Sequence, residues 1–293
     1  MTLNSSEAPS QAPVRHAASV VLLRDGTQGL EVFLMRRSEQ SDVMGGAYVF
    51  PGGKLDAQDE ALAASGLLDQ ASLALHQTLG ETSTPESVAA GLFVAALRET
   101  YEEAGILFST SSERPEQAEA LAQLRGTPFA TMLQTQRLTL HTRAVHPWSR
   151  WITPALSPLM SKRFDTRFFV AAVPHTQTAR HDNFETTQSV WLAPRTALEQ
   201  YWDGQIALAP PQIMGLAHLA RHAHVASVLQ EAQQRRPPTI LPQVFEEDGL
   251  RFMCYPGDAR HDLPHKAIPG PTRLCIRKGR FEPSSGFEGF FSD

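Results

Sequence analysis

Arg98-Glu99-Thr100-Tyr101-Glu102-Glu103-Ala104-Gly105-Ile106 is the stretch that decides how the chain is read. It closes a helix-favouring run from about Ser87, which starts after Thr84-Pro85-Glu86 and stops at Gly105. At roughly 100° per residue, Glu102 and Glu103 fall within about 60° of Glu99, on either side of it, so three carboxylates share one face. Ala90, Phe93, Val94, Leu97, Tyr101 and Ala104 gather on the opposite face, toward a core. A solvated acidic face would intersperse Lys or Arg, because like charges at i,i+3 and i,i+4 cost a few tenths of a kcal/mol. No lysine is interleaved here. Upstream on the acid side stand Leu92, Ala95 and Ala96, which suggests a covered or pocket-lining surface. The acids also sit at the helix C-terminal end, where the macrodipole disfavours negative charge. A cation should compensate, and an oxygen-only donor set suits Mg²⁺ or Mn²⁺.

Outward from that helix, Ala17–Leu23 and Leu30–Met35 read as strands joined across Asp25-Gly26. Ala47–Phe50 reads as a third strand, stopped by Pro51-Gly52-Gly53. An Ala/Leu/Glu-rich run from about Gln58 to Gln77 favours helix, as does 115–138 with breaks. Strand character returns at 144–152, 167–173 and 189–192. A short helix opens at Pro194, and a longer one runs from Pro210-Pro211 to about Gln233. The class is therefore α/β (α+β) with a mixed sheet.

The 293 residues carry a formal charge of −5 and no long basic run, which argues against a nucleic-acid grip. Two cysteines are too few for a disulfide framework, and a reducing cytoplasm fits best. No apolar stretch approaches the ~18 to 20 residues that span a bilayer, so no membrane partner is expected. Residues 1–14 read as a disordered tail without signal-peptide character.

Arg98–Gly105 matches R-E-x-x-E-E-x-G, and Phe50-Pro51-Gly52-Gly53 looks like the loop that opens the same motif. On these residues the chain resembles the Nudix hydrolases, whose box is written G-x5-E-x7-R before that segment. Between Gly53 and Arg98 stand 44 residues where the box has 13, an insertion of 31. The box's first glutamate thus has no assigned counterpart: Asp56 and Asp59 are the nearest acids after Gly53, and Ala90 holds the place eight before Arg98. Such an insertion is similar to that of the peroxisomal coenzyme A diphosphatase-like Nudix proteins and their bacterial relatives. Trp148–Pro154, Lys162–Ala171 and the segment from Glu185 through Trp191 to Pro194 support that subgroup.

The resemblance implies a Nudix fold, a mixed sheet between helices, over 15–205, with a helical insertion at about 56–86 and a C-terminal extension over 206–293 packed on it. It implies a metal-dependent hydrolase of a small nucleoside diphosphate derivative, leaning to coenzyme A or acyl-coenzyme A. The alternatives are an ADP-ribose or dinucleotide pyrophosphatase and a non-catalytic ligand-binding regulator. By resemblance, Glu99, Glu102 and Glu103 hold Mg²⁺ or Mn²⁺, one of them or a loop acid acts as base, and Arg98 fixes a glutamate rotamer at the catalytic centre. Arg37, Gly52, Gly53, Arg163 and Arg167 are the substrate-binding candidates, and Glu185 the candidate distant acid. The upstream coenzyme A motif is matched at Arg37, Ser38 and Gly46, but Asp42 replaces its second arginine and Met35 its threonine. Trp148 and Trp151 suit either an adenine platform or the core. His218-x-x-x-His222 has a spacing that zinc proteins use, but with no third ligand evident it reads as packing. A homodimer is an assembly the sequence allows.

Overall fold

In the computed structural model the described residues are 14–41, 44–110, 115–154, 162–182 and 186–292. Strand β1 (Val14–Gly26) is the axis of the molecule. Its central residues from Ala17 to Leu23 are all buried, because both faces of the sheet are covered. Ala18, Val20 and Leu22 point into one core, and Val21 and Leu23 into a second. One edge of β1 pairs in parallel with a later strand, as described below. The other edge takes two partners, β2 (Gly29–Arg37) toward its end and β4 (Gly52–Lys54) toward its start. Between these lies the short β3 (Tyr48–Val49), paired to β2.

After β4 the chain leaves the sheet through α1 (Ala57–Ala63) and α2 (Ser72–Leu79), then returns in α3 (Glu86–Ala104). The run read as one helix over 58–77 is thus two short helices, and the segment between them contains Gly66 at φ +80°. Leu62, Leu75 and Leu79 fasten these helices to Ala89, Phe93 and Leu97 of α3 in the first core. Each fully buried leucine of this kind is worth about 1.5–3 kcal/mol relative to exposure. The short α4 (Pro115–Ala122) and α5 (Phe129–Gln136) close the same side, with Phe129 against Tyr101.

The chain then adds β5 (His146–Ile152), β6 (Arg163–Ala172) and β7 (Thr186–Leu192). β6 lies parallel to β1 over Val14–Leu23, and β7 lies antiparallel to β2. Helices α6 (Pro194–Trp202), α7 (Pro210–Leu219) and α8 (Val225–Gln234) cover the second face. The single helix expected from Pro210 to Gln233 is interrupted at 220–224 for a tertiary reason. The Leu30 amide donates to the carbonyl of Ala223 at 2.9 Å, and the Val225 amide donates to Asp25 Oδ1 at 2.9 Å. The break docks on the β1–β2 hairpin.

Strand β8 (Thr239–Ile240) completes an eight-stranded mixed sheet by pairing with β5. A separate antiparallel sheet follows, made of β9 (Gln243–Glu247), β10 (Leu250–Cys254), β11 (Arg273–Arg277) and β12 (Arg280–Glu282). Met253, Tyr255, Leu274 and Phe281 bury this sheet's apolar side in the second core. No helix among the described residues is long and apolar enough to cross a membrane.

Candidate active site

The C-terminal turn of α3 meets the Phe50–Gly53 loop. That loop is pinned to β1, since Pro51's carbonyl accepts from the Val20 amide at 2.8 Å and from Ser19 Oγ at 3.0 Å. The Gly52 amide donates to Glu103 Oε2 at 2.8 Å. A Cβ on Gly53 would stand 2.1 Å from Glu99 Oε1, so only glycine lets that carboxylate lie against the strand. Gly105, at φ +71°, ends the helix in the left-handed region, and its amide closes on Tyr101.

Arg98 is the hub. Its Nε donates to Asp59 Oδ1 at 2.8 Å and its Nη2 to Asp59 Oδ2 at 3.0 Å, a bidentate pair. Nη1 donates to Glu99 Oε1 at 2.8 Å and to Glu102 Oε2 at 2.9 Å. Nη2 also reaches the carbonyl of Lys54 at 3.1 Å. Burial works against the guanidinium's charge, but the Asp59 hydrogen bonds and the charges of Glu99, Asp59 and Glu102 push its pKa above the ordinary arginine range. Asp59 is 1% exposed and also accepts from the Asp56 amide at 2.9 Å, capping α1. It holds the sixth place after Gly53, so G-x5-acid survives and the long insertion falls between that acid and Arg98. Read this way, the spacing carried the signal that separates Asp59 from Asp56.

Three carboxylates (Asp59, Glu99, Glu102) thus meet one guanidinium at this end of α3, and a fourth, Glu103, lies on the neighbouring Gly52 amide. The all-oxygen donor set suits a hard divalent cation, and Glu99, Glu102 and Glu103 are the residues that would hold it, their carboxylates turning toward the ion from the partners they have here, Arg98 for Glu99 and Glu102 and the Gly52 amide for Glu103. Tyr101 points the other way, its hydroxyl donating to the carbonyl of Leu121 at 2.6 Å, and burial pushes it up to about 12. The helix therefore separates its acids from its core side.

Beside Glu103 opens a cleft of about 220 Å³, lined also by Arg37, Ser38, Gln40, Ser41, Val49 and Thr186. Arg37 sits at the end of β2, with Nη1 3.3 Å from Ser41 Oγ. Gln40, Ser41 and Thr186 went unnoticed in the sequence, where polar loop residues carry no periodic signal. Of the expected substrate ligands, Arg37, Gly52 and Gly53 come together around Glu103 and Glu99.

Others do not. Arg167, expected to meet a phosphate, is 1% exposed and bound to Glu81, with Nε–Oε1 at 3.0 Å and Nη2–Oε2 at 2.6 Å. Its Nη1 also donates to the Asp165 carbonyl at 3.0 Å and meets His16 Nδ1 at 2.8 Å, so the residue is part of a buried network tying the insertion to the sheet. Arg163, at the start of β6, donates through Nε to the Thr153 carbonyl at 3.2 Å and is not among the residues lining the cleft. Trp148 and Trp151 are buried in the second core and offer no platform to an adenine. Glu185 and Asp42 lie outside the described residues.

Comparison with known proteins adds four findings. A family model described as the NUDT19 Nudix domain matches residues 77–219. The chain is 28% identical over 278 residues to the acyl-coenzyme A diphosphatase NUDT19 of Xenopus laevis, covering 80% of this chain and 72% of that protein. To the protein of the same name from Gallus gallus it is 30% identical over 262 residues, covering 70% and 68%. Among solved structures, a NUDIX hydrolase from Alicyclobacillus acidocaldarius superimposes with a TM-score of 0.59 at 25% identity, covering 77% of this chain and 98% of that one.

Proposed function

The chain belongs to the Nudix hydrolases of the NUDT19 type, and we propose that it hydrolyses the diphosphate linkage of coenzyme A or an acyl-coenzyme A. The observation that carries the reading is the gathering of Asp59, Glu99 and Glu102 on Arg98 beside Gly52-Gly53, with Glu103 on the Gly52 amide lining the cleft of Arg37. The relatives' name supplies the substrate class. Mg²⁺ or Mn²⁺ bound by Glu99, Glu102 and Glu103 would neutralise the diphosphate and the charge that builds as it is cleaved.

The chain's own groups do the rest. Water attacks one phosphorus, a P–O bond forms as the anhydride P–O bond breaks, and a carboxylate of the cluster takes the water's proton. Arg98 holds Glu99 and Glu102 in one rotamer each, so little reorganisation is left for the reaction itself. Arg37 presents a guanidinium to the phosphates from across the cleft. We place this activity in the cytoplasm, where the free thiols of Cys254 and Cys275 would stay reduced, on a small nucleotide derivative and not a nucleic acid, in keeping with the net negative charge.

The test compares metal-dependent cleavage of coenzyme A, an acyl-coenzyme A, ADP-ribose and NADH at equal concentration. Release of phosphopantetheine or its acyl form with adenosine 3′,5′-bisphosphate is expected. ADP-ribose or NADH cleaved about ten times faster, a gap of roughly 1.4 kcal/mol, would overturn the substrate assignment.

A further inference from the structure

On the face of the sheet covered by α6–α8, a second cluster of ligating side chains stands apart from the four acids. His218 lies in the last turn of α7, and His222 lies in the break before α8. Glu231, on α8, closes on both: its Oε1 is 2.8 Å from His218 Nε2 and its Oε2 is 3.0 Å from His222 Nε2. One ligand atom from each of the three lies within 4.8 Å of the others, and among the described residues this is the one such group.

The hydrogen bonds around His222 fix which nitrogen faces the cluster. Ser227 Oγ donates to the His224 carbonyl at 2.8 Å, so it meets His222 Nδ1, 3.0 Å away, as an acceptor. The proton is then on Nδ1, and Nε2 presents its lone pair. That Nε2 is buried and makes no hydrogen bond, although a Glu231 carboxylate oxygen stands 3.0 Å away. A serine that holds the far nitrogen of a ring is also the arrangement that orients a ligating imidazole.

We propose that His218, His222 and Glu231 bind a single divalent transition-metal ion, zinc by the chemistry of the donor set, which fastens the α7–α8 turn to β5. Two imidazoles and a carboxylate suit zinc better than the hard cations that fit the all-oxygen cluster on α3. A fourth position is left to solvent. Glu231 Oε1 also accepts from Arg235 Nε at 2.6 Å, but a carboxylate has about four lone-pair sites and can serve both. Arg235 in turn stacks on Trp148, whose ring lies 4.6 Å from that of His218, so the clasp reaches β5 through packed rings.

The full chain, stripped with a chelator, is titrated with Co²⁺ and separately with Zn²⁺. A tetrahedral Co²⁺ absorption band that saturates at one equivalent, and a rise in Tm with Zn²⁺, are expected. Glu102→Gln keeps both, since it touches only the α3 cluster. Ser227→Ala weakens binding by about tenfold to a hundredfold, and His222→Gln and Glu231→Gln abolish the band. The wild-type band is read independently of how well these variants fold. Its absence, its loss in Glu102→Gln, or its persistence in His222→Gln and Glu231→Gln overturns the site.

Discussion

Two arginines in this chain each gather acids, and the gatherings differ in charge balance. Around Arg167, Glu81 and Asp165 are matched by two guanidiniums, because Arg150 also binds Asp165 through Nε and Nη2 at 2.8 and 2.7 Å. Arg167 and Asp165 are buried in it, while Glu81 and Arg150 keep partial exposure. Around Arg98, one guanidinium at 14% exposure holds Asp59, Glu99 and Glu102, with Glu103 on the neighbouring amide. A balanced network is complete as a fastener, here of the insertion to the sheet. One with more acids than guanidiniums among the described residues, set beside a cleft, is the arrangement we propose a cation completes. Paired acids and arginines alone do not mark an active site.

Breaking the balanced network tests its half of the comparison. Arg167→Met leaves Glu81 and Asp165 short of a partner in a buried setting. It should cost about 3–5 kcal/mol in urea unfolding, while the folded fraction keeps near wild-type turnover. Lost turnover at unchanged stability would put Arg167 at the substrate after all.

The unbalanced cluster should behave in the opposite way. Glu102→Gln or Glu103→Gln removes a carboxylate from a site that already carries excess negative charge. Turnover should fall by about a hundredfold or more while Tm stays level or rises. Near wild-type rates in both variants would sink the metal-centre assignment. Asp59→Asn sits between the cases, since it ends a charge-assisted bidentate pair without removing a glutamate of the metal set. A stability loss of about 1.5–3 kcal/mol, with a smaller drop in turnover than Glu102→Gln, is expected from paired melting and rate measurements.

The acids of α3 were legible in the sequence because a 3.6-residue period and a glycine stop are local signals. The balanced network was not. Glu81 and Arg167 are 86 residues apart, and nothing near either marks the other. The third residue of the histidine cluster was hidden by a wrong element. Had one helix run from Pro210 to Gln233, roughly 100° per residue would have placed Glu231 about half a turn away from His222. The break at 220–224 brings them together, and its cause is the Asp25–Leu30 hairpin nearly 200 residues upstream. Asp59 was the intermediate case: its spacing from Gly53 was visible, but its bond to Arg98 across the insertion was not.

The smallest expected effect is a pH dependence that separates the two arginine clusters. Burial raises the Glu81 carboxyl, but its hydrogen bonds to Arg167 and Thr84 and the charges of Arg167 and Arg150 outweigh this and hold it below its ordinary 4.5. A depressed carboxylate contributes stability that is present above the unfolded value and lost as pH falls through the folded one. His16 is held below its ordinary 6.5, by burial first and by Arg167 next. The unfolded chain therefore takes up that proton first, and some stability is lost already as pH drops below 6.5. Urea unfolding from neutral to acid pH should show both losses in the wild type. Glu81→Gln should be less stable at neutral pH, keep the His16 loss, and lack the second. The gap between the two proteins should then shrink as pH falls below about 4.5. A gap that stays constant to the acid limit would mean that the Glu81 carboxyl is not held down, and that its pairing with Arg167 is weaker than the distances imply.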